Sequence, residues 1–127
     1  MRCLTFLLFI FLISIECQAV SIPIYFTDFK VPARWQDNYY AGFSPATLAA
    51  DLSNLLATAT KDSYSPIPYQ GQRTTGIYLI LDSSLPASAT ETGYLEYQPN
   101  KIIFKARYVT GLSYALYSWL DEKGFRF

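Results

Sequence analysis

The sequence contains no histidine, and its only two cysteines, Cys3 and Cys17, lie near its beginning. Without histidine there is no Ser-His-Asp or Cys-His nucleophile system and no imidazole to act as an acid or base. If the segment that holds both cysteines is removed, the rest of the chain has no thiol for a zinc site or a disulfide. These absences exclude the commonest catalytic and metal-binding arrangements.

An excess of charge of either sign is absent as well. Ten basic residues balance ten acidic ones, and like charges do not cluster along the chain. Nucleic acids and anionic membranes attract proteins through basic patches, so we expect neither as a partner. The sequence also lacks an Asn-x-Ser/Thr sequon, so it predicts no N-glycosylation.

The N-terminal segment has the layout of a secretory signal peptide. Arg2 supplies a positive charge, an apolar run follows over Leu4–Ile15, and a polar stretch ends at the small residue Ala19. The run is shorter than the ~20 residues that a membrane-spanning helix needs. Residues 1–19 are therefore predicted to be a signal peptide, which makes the protein secreted (extracellular, periplasmic or lumenal) with no membrane attachment after cleavage. An uncleaved anchor and a lipoprotein modified at Cys17 are the alternatives.

Residues 20–127 have the length of one domain, and the apolar content of 51% over the whole chain indicates a packed core. The pattern predicts the element order β-α-β-β-β-α. The predicted elements are a strand over Ile22–Phe26, a helix opened by Ser44 and Pro45, a buried strand over Gly76–Leu81, a hairpin of Gly93–Gln98 with Lys101–Arg107, and a helix from about Thr110 to Lys123.

Two details of this prediction can be checked directly. In the hairpin, placing Tyr97 opposite Ile102 and Leu95 opposite Phe104 gives one apolar face and one polar face. The segment 61–75, by contrast, is polar and rich in proline and predicts no regular element. The predicted fold class is α/β (α+β): a two-layer sandwich of a four- to five-stranded mixed sheet with two helices on one face.

The C-terminal part resembles a known family. A hairpin runs into a helix of pattern G-L-x-Y-A-x-Y-x-x-L and ends in G-F-R-F, as in the small N-terminal domain of several secreted glycoside hydrolases, the family 20 β-hexosaminidases and the α-glucuronidases. The matching residues are Arg107, Gly111, Leu112, Tyr114, Ala115, Tyr117, Leu120, Gly124, Phe125, Arg126 and Phe127.

This resemblance implies that residues 20–127 form a non-catalytic accessory domain, cut before a catalytic barrel that would follow Phe127. In that family the barrel carries the catalytic acid and base. The resemblance thus implies a parent glycoside hydrolase in carbohydrate metabolism, a barrel domain of the same or a split protein as partner, and no catalytic residue in this chain. We expect no cofactor and no metal.

Candidate contact residues are aromatic or basic. A loop over Lys30–Phe43 carries several rings that could stack on sugars or pack on a neighbouring domain, and the last helix carries tyrosines on its polar side. The candidates for carbohydrate or interface contacts are Trp35, Tyr39, Tyr40, Tyr114, Tyr117 and Arg126.

The alternative function is a free-standing secreted carbohydrate-binding module that uses the rings of this loop. A secreted structural or adhesion protein is a third possibility, which no feature of the sequence favours. Glycoside hydrolysis needs two carboxyl groups flanking the bond, and none of the carboxylate pairs stands in a recognisable motif. These pairs are Asp28 with Asp37, Glu91 with Glu96, and Asp121 with Glu122.

Overall fold

The structure, a computed structural model, describes residues 21–28, 44–88 and 90–125. These residues form five strands and two helices. In chain order they are β1 (Ser21–Phe26), α1 (Pro45–Thr60), β2 (Ser63–Pro68), β3 (Gly76–Leu81), β4 (Gly93–Gln98), β5 (Lys101–Ala106) and α2 (Val109–Glu122).

The strands form one mixed sheet in the order β2-β1-β3-β5-β4. All neighbouring pairs are parallel except β4 with β5, which run antiparallel. Both helices pack on the same face, α1 over β1 and β2 and α2 over β4 and β5. The predicted two-layer sandwich with a mixed sheet and two helices on one face is confirmed.

The helix side of the sheet holds the main core. Strand residues spaced by two point toward the helices, and apolar helix residues spaced by three and four point back at them. The fully buried side chains of this core include Ile24, Leu79 and Phe104 from the sheet and Leu52, Leu112, Leu116 and Leu120 from the helices.

Helix α1 begins where the sequence predicts. Ser44 is the N-cap and accepts a hydrogen bond from the backbone N–H of Thr47 at 3.2 Å, and Pro45 occupies the first helical position. A proline there loses nothing, because the first helical N–H groups have no intrahelical acceptor. The helix ends at Lys61, whose φ of 67° is left-handed.

The hairpin has the predicted register, with Tyr97 opposite Ile102 and Leu95 opposite Phe104. On the polar face the Nζ of Lys105 lies 3.7 Å from a carboxylate oxygen of Glu96. The polar face of the hairpin therefore carries a pair of opposite charges.

The prediction of no regular element over residues 61–75 is wrong, because β2 pairs with β1 in parallel over Ser63–Pro68. The backbone N–H of Tyr69 donates to the carbonyl of Phe26 at 2.7 Å. The backbone groups of alternate residues point to the same edge of a strand, so those of residues 65 and 67 also point toward β1. The backbone groups of Pro66 and Pro68 point outward, away from β1. Proline is tolerated there because the outward N–H of an edge strand has no partner to lose.

The connection from β2 to β3 crosses the sheet without a helix. Because β3 lies on the far side of β1 and runs parallel to β2, residues 69–75 must return across the sheet face opposite the helices. The chain accordingly passes over Tyr25 and Tyr78, whose hydroxyl groups bond to Thr74 of this connection. Within the described ranges, no helix has the length and apolar character needed to span a membrane.

Candidate functional site

Three tyrosines cluster on the sheet face opposite the helices. Tyr25 of β1 and Tyr78 of β3 are register partners, and their ring centroids lie 4.9 Å apart with an interplanar angle of 35°. Tyr69, from the β2–β3 connection, meets Tyr78 edge-on at 5.8 Å. The Nζ of Lys101 lies 5.5 Å from the centroid of the Tyr78 ring. We call this set, Tyr25, Tyr69, Tyr78 and Lys101, the tyrosine face.

The hydroxyl groups of the two strand tyrosines bond to the connection above them. The hydroxyl of Tyr25 lies 2.7 Å from that of Thr74, and the hydroxyl of Tyr78 donates to the backbone carbonyl of Thr74 at 2.5 Å. Burial raises the pKa of Tyr78 above its ordinary value, and the side chain of Thr74 only partly offsets this. This phenol stays protonated at neutral pH and is no proton acceptor there, so the buried tyrosines of this face serve packing rather than chemistry.

A second cluster lies along the free edge of β4, on the helix side. Leu95 and Tyr97 of β4 are exposed to 36% and 60%, and Tyr114 of α2 is exposed to 53%. Beneath them the indole N–H of Trp119 donates to the hydroxyl of Tyr97 at 2.9 Å. We call Leu95, Tyr97 and Tyr114 the β4 edge cluster.

Helix α2 lies against this edge at backbone distance. A Cβ placed on Gly93 would lie 2.6 Å from the Cβ of Ala115 and closer still to the carbonyl oxygen of Gly111. A Cβ placed on Gly111 would meet the backbone of Thr92. Both positions therefore require glycine, and the first glycine of the G-L-x-Y-A pattern brings the helix onto the sheet.

The carboxyl ends of the parallel strands are where ligands bind in open α/β sheets. Here the polar side chains of this region bond to their own loop. The carboxylate of Asp82 accepts from the backbone N–H of Ser84 at 2.9 Å and from its hydroxyl at 2.6 Å, while the guanidinium of Arg107 donates to the carbonyl of Leu85 at 2.9 Å and to that of Ser83.

These bonds also determine the charge of the acid. The two bonds from Ser84, and to a smaller degree the positive charges of Lys105 and Arg107, lower the pKa of Asp82 below its ordinary value. An acid held in its ionised form is a poor general acid. The hydrogen bonds of Asp82 and Arg107 therefore stabilise the loop after β3.

Of the predicted contact residues, the structure describes Tyr114 and Tyr117, both on α2. Tyr114 is exposed, whereas Tyr117 is half-buried and donates its hydroxyl to the carboxylate of Asp51 on α1, which joins the two helices. The other predicted contacts, Trp35, Tyr39, Tyr40 and Arg126, lie outside the described residues, so the stacking surface of the aromatic loop stays a prediction.

The tyrosine face was not predicted from the sequence. Its signal was present in the two predicted strands, since tyrosine occupies alternate positions relative to the core residues in both IPIYF and GIYLIL. The two tyrosines meet only because β1 and β3 are neighbours in the sheet. That arrangement depends on the connection between β2 and β3, which was not predicted from the sequence.

The described ranges contain no group of three or more acidic or other ligating side chains that could hold a metal ion. No family model, no curated protein and no solved structure matches this chain.

Proposed function

We propose that this chain is the non-catalytic N-terminal accessory domain of an exported glycoside hydrolase and docks on the catalytic barrel through the tyrosine face. The observation that carries the proposal is the exposed part of this face: no described helix covers it, and Tyr69 is exposed at its border, whereas Tyr25 and Tyr78 are buried beneath residues 69–75. Tyrosine is enriched at protein interfaces because it combines a large apolar area with a polar tip.

The character of the face suits contact between domains of one protein. Such contacts are more polar than permanent subunit interfaces. The tyrosine face mixes rings with the ammonium group of Lys101, and Tyr69 is exposed to 39% at its border. A partner surface of aromatic and acidic side chains would complement it.

The carboxylates whose contacts are known also favour a non-catalytic role. Asp51 accepts a hydrogen bond from Tyr117, Asp82 bonds to Ser84, and Glu96 pairs with Lys105. They lie on α1, in the loop after β3 and on β4 respectively. A glycosidase needs two carboxyl groups about 5–10 Å apart across a cleft, and these three serve local structure instead.

Several residues that carry the resemblance to the accessory domains have identifiable packing roles in this fold. In the G-L-x-Y-A-x-Y-x-x-L pattern, Gly111 makes the backbone contact with β4, and Leu112 and Leu120 are fully buried. Gly124 has a φ of 95°, which favours glycine after a helix end. Tyr114 is the pattern residue that packing does not explain, since its ring is exposed.

The test of this proposal uses the full-length parent protein, expressed from the whole reading frame of the gene. Tyr69→Asp introduces a charge into the tyrosine face, and Tyr114→Asp introduces the same charge at an exposed tyrosine on the opposite side of the sheet. We expect Tyr69→Asp to split the thermal unfolding of the parent protein into two separate transitions, because the domains no longer stabilise each other. Tyr114→Asp should leave a single transition. Equal behaviour of the two variants would contradict docking through the tyrosine face.

A further inference from the structure

The two edges of the sheet differ in how they are protected. Along β2, Pro66 and Pro68 face outward and remove two N–H groups from the edge, which prevents pairing with another strand. Strand β4, at the other end of the sheet order, has no proline between Gly93 and Gln98. In the described part of the chain, β4 pairs on one side only.

The free backbone groups of β4 can be identified from the hairpin. A two-residue turn joins Gln98 to Lys101, so these two residues form a hydrogen-bonded pair. Hydrogen-bonded pairs alternate along an antiparallel ladder, so Glu96 and Tyr94 also bond to β5. The N–H and C=O groups of Gly93, Leu95 and Tyr97 therefore point away from the sheet.

The side chains around these groups are apolar and exposed, as the β4 edge cluster shows. Natural edge strands usually carry lysine, proline or a bulge at such positions. Here Leu95 and Tyr97 stand beside a row of unpaired hydrogen-bonding groups. This combination is typical of a strand that pairs with another chain.

We propose that β4 pairs with β4 of a second copy of this chain, antiparallel about a two-fold axis, so that the two sheets become continuous. A two-fold axis fixes which residues oppose each other, so only a few registers are possible. With Glu96 on the axis, two carboxylates would oppose each other, which is destabilising. With Tyr97 on the axis, Leu95 would oppose Pro99, where the strand has already ended.

Placing Leu95 on the axis gives the outward N–H and C=O groups of β4 hydrogen-bond partners. The outward groups of Leu95 then pair with their equivalents, and Tyr97 opposes Gly93 of the second copy. Because Gly111 and Ala115 of the same copy already cover Gly93, the ring of Tyr97 would pack beside that helix. On the other face, Tyr94 opposes Glu96 of the second copy.

Charge also permits this pairing. Lys105 lies behind Tyr94 and already balances Glu96 within each copy, so the two acids do not face each other uncompensated. The whole chain has a formal net charge of zero, so two copies do not repel at long range.

The expected affinity follows from the size of the edge. A six-residue strand is about 20 Å long and a helix stacked on a sheet is about 20 Å deep, so the contact covers roughly 400 Å² in projection. Stable interfaces bury about 800 Å² on each partner. We therefore expect a weak, reversible dimer with a dissociation constant of about 10–100 µM. This pairing uses a different surface from the proposed barrel contact and does not depend on it.

Sedimentation equilibrium of the exported chain, purified from the medium of an expression host, tests the proposal between about 1 µM and about 1 mM. We expect the mass to rise reversibly from monomer to dimer and to stop there, because a two-fold interface closes on itself. A mass that stays monomeric, or one that grows beyond the dimer, would overturn the proposal.

Two variants at Leu95 identify the mode of pairing. Leu95→Pro removes the outward N–H without touching the ladder to β5, and Leu95→Lys places two like charges on the axis. Both substitutions should raise the dissociation constant of the dimer at least about tenfold, which corresponds to about 1.4 kcal/mol. Leu95→Val is the control and should retain the dimer. Circular dichroism confirms that each variant folds. Persistence of the dimer in both variants, or weakening by lysine alone, would overturn strand pairing.

Discussion

At the scale of single residues, tyrosines perform two distinct tasks in this molecule. Tyr25, Tyr78 and Tyr117 place their hydroxyl groups on internal partners and tie elements together. Tyr97 and Tyr114 leave most of their rings exposed. The sequence predicted Tyr114 and Tyr117 as contact residues from helical spacing. Spacing shows which side chains leave the core but not which neighbour they meet, so the bond from Tyr117 to α1 was not foreseeable.

The bond between Tyr117 and Asp51 predicts a pH-dependent stability. Burial, and then the bond to Asp51 and its charge, raise the pKa of Tyr117 above its ordinary value of 10.0. Above about pH 10 the unfolded chain therefore releases this proton while the folded chain keeps it, so the free energy of unfolding falls as pH rises. Below about pH 10 the full contribution is present.

We expect Tyr117→Phe to lower the free energy of unfolding by about 1–2 kcal/mol at neutral pH. The difference from the wild type should narrow in urea denaturation at about pH 11, because the variant lacks this titrating phenol. Tyr114→Phe is the control and should leave the free energy of unfolding unchanged at both pH values. A difference that stays constant with pH would contradict the role given to Tyr117.

At the scale of elements, local signals determine what could be predicted. The cap of α1 and the register of the hairpin depend on residues close in sequence, and both are confirmed. Strand β2 was missed because its prolines argue against a strand unless it is known to lie at an edge. Its position at the edge depends on β1, which is distant in sequence. The meeting of Tyr25 and Tyr78 was unpredictable for the same reason.

The contact between α2 and β4 gives a prediction at this scale. Gly111→Ala should raise intrinsic helix stability by about 1 kcal/mol. In this fold the added methyl group meets the backbone of Thr92, so we expect a net loss of about 2–3 kcal/mol in urea denaturation. Ser118→Ala, at an exposed position of the same helix, is the matched control and should be neutral or stabilising. A stabilising effect of Gly111→Ala would show that the helix does not approach β4 this closely.

At the scale of the whole molecule, the fold class followed from composition and periodicity, because a sheet with one apolar face requires a covering layer. The function did not follow in the same way. The described residues form a well-packed sandwich whose aromatic surfaces are suited to contact with other protein surfaces. Under the proposed function, a barrel domain would contact the exposed part of the tyrosine face around Tyr69.

We propose that this chain is the accessory domain of a larger exported glycoside hydrolase. Sequencing the native transcript beyond codon 127 tests it most directly. The claim predicts an in-frame continuation into a barrel domain that carries a pair of catalytic carboxylates. A stop codon at that position would contradict the claim, and the aromatic loop with Trp35, Tyr39 and Tyr40 would become the first place to look for function.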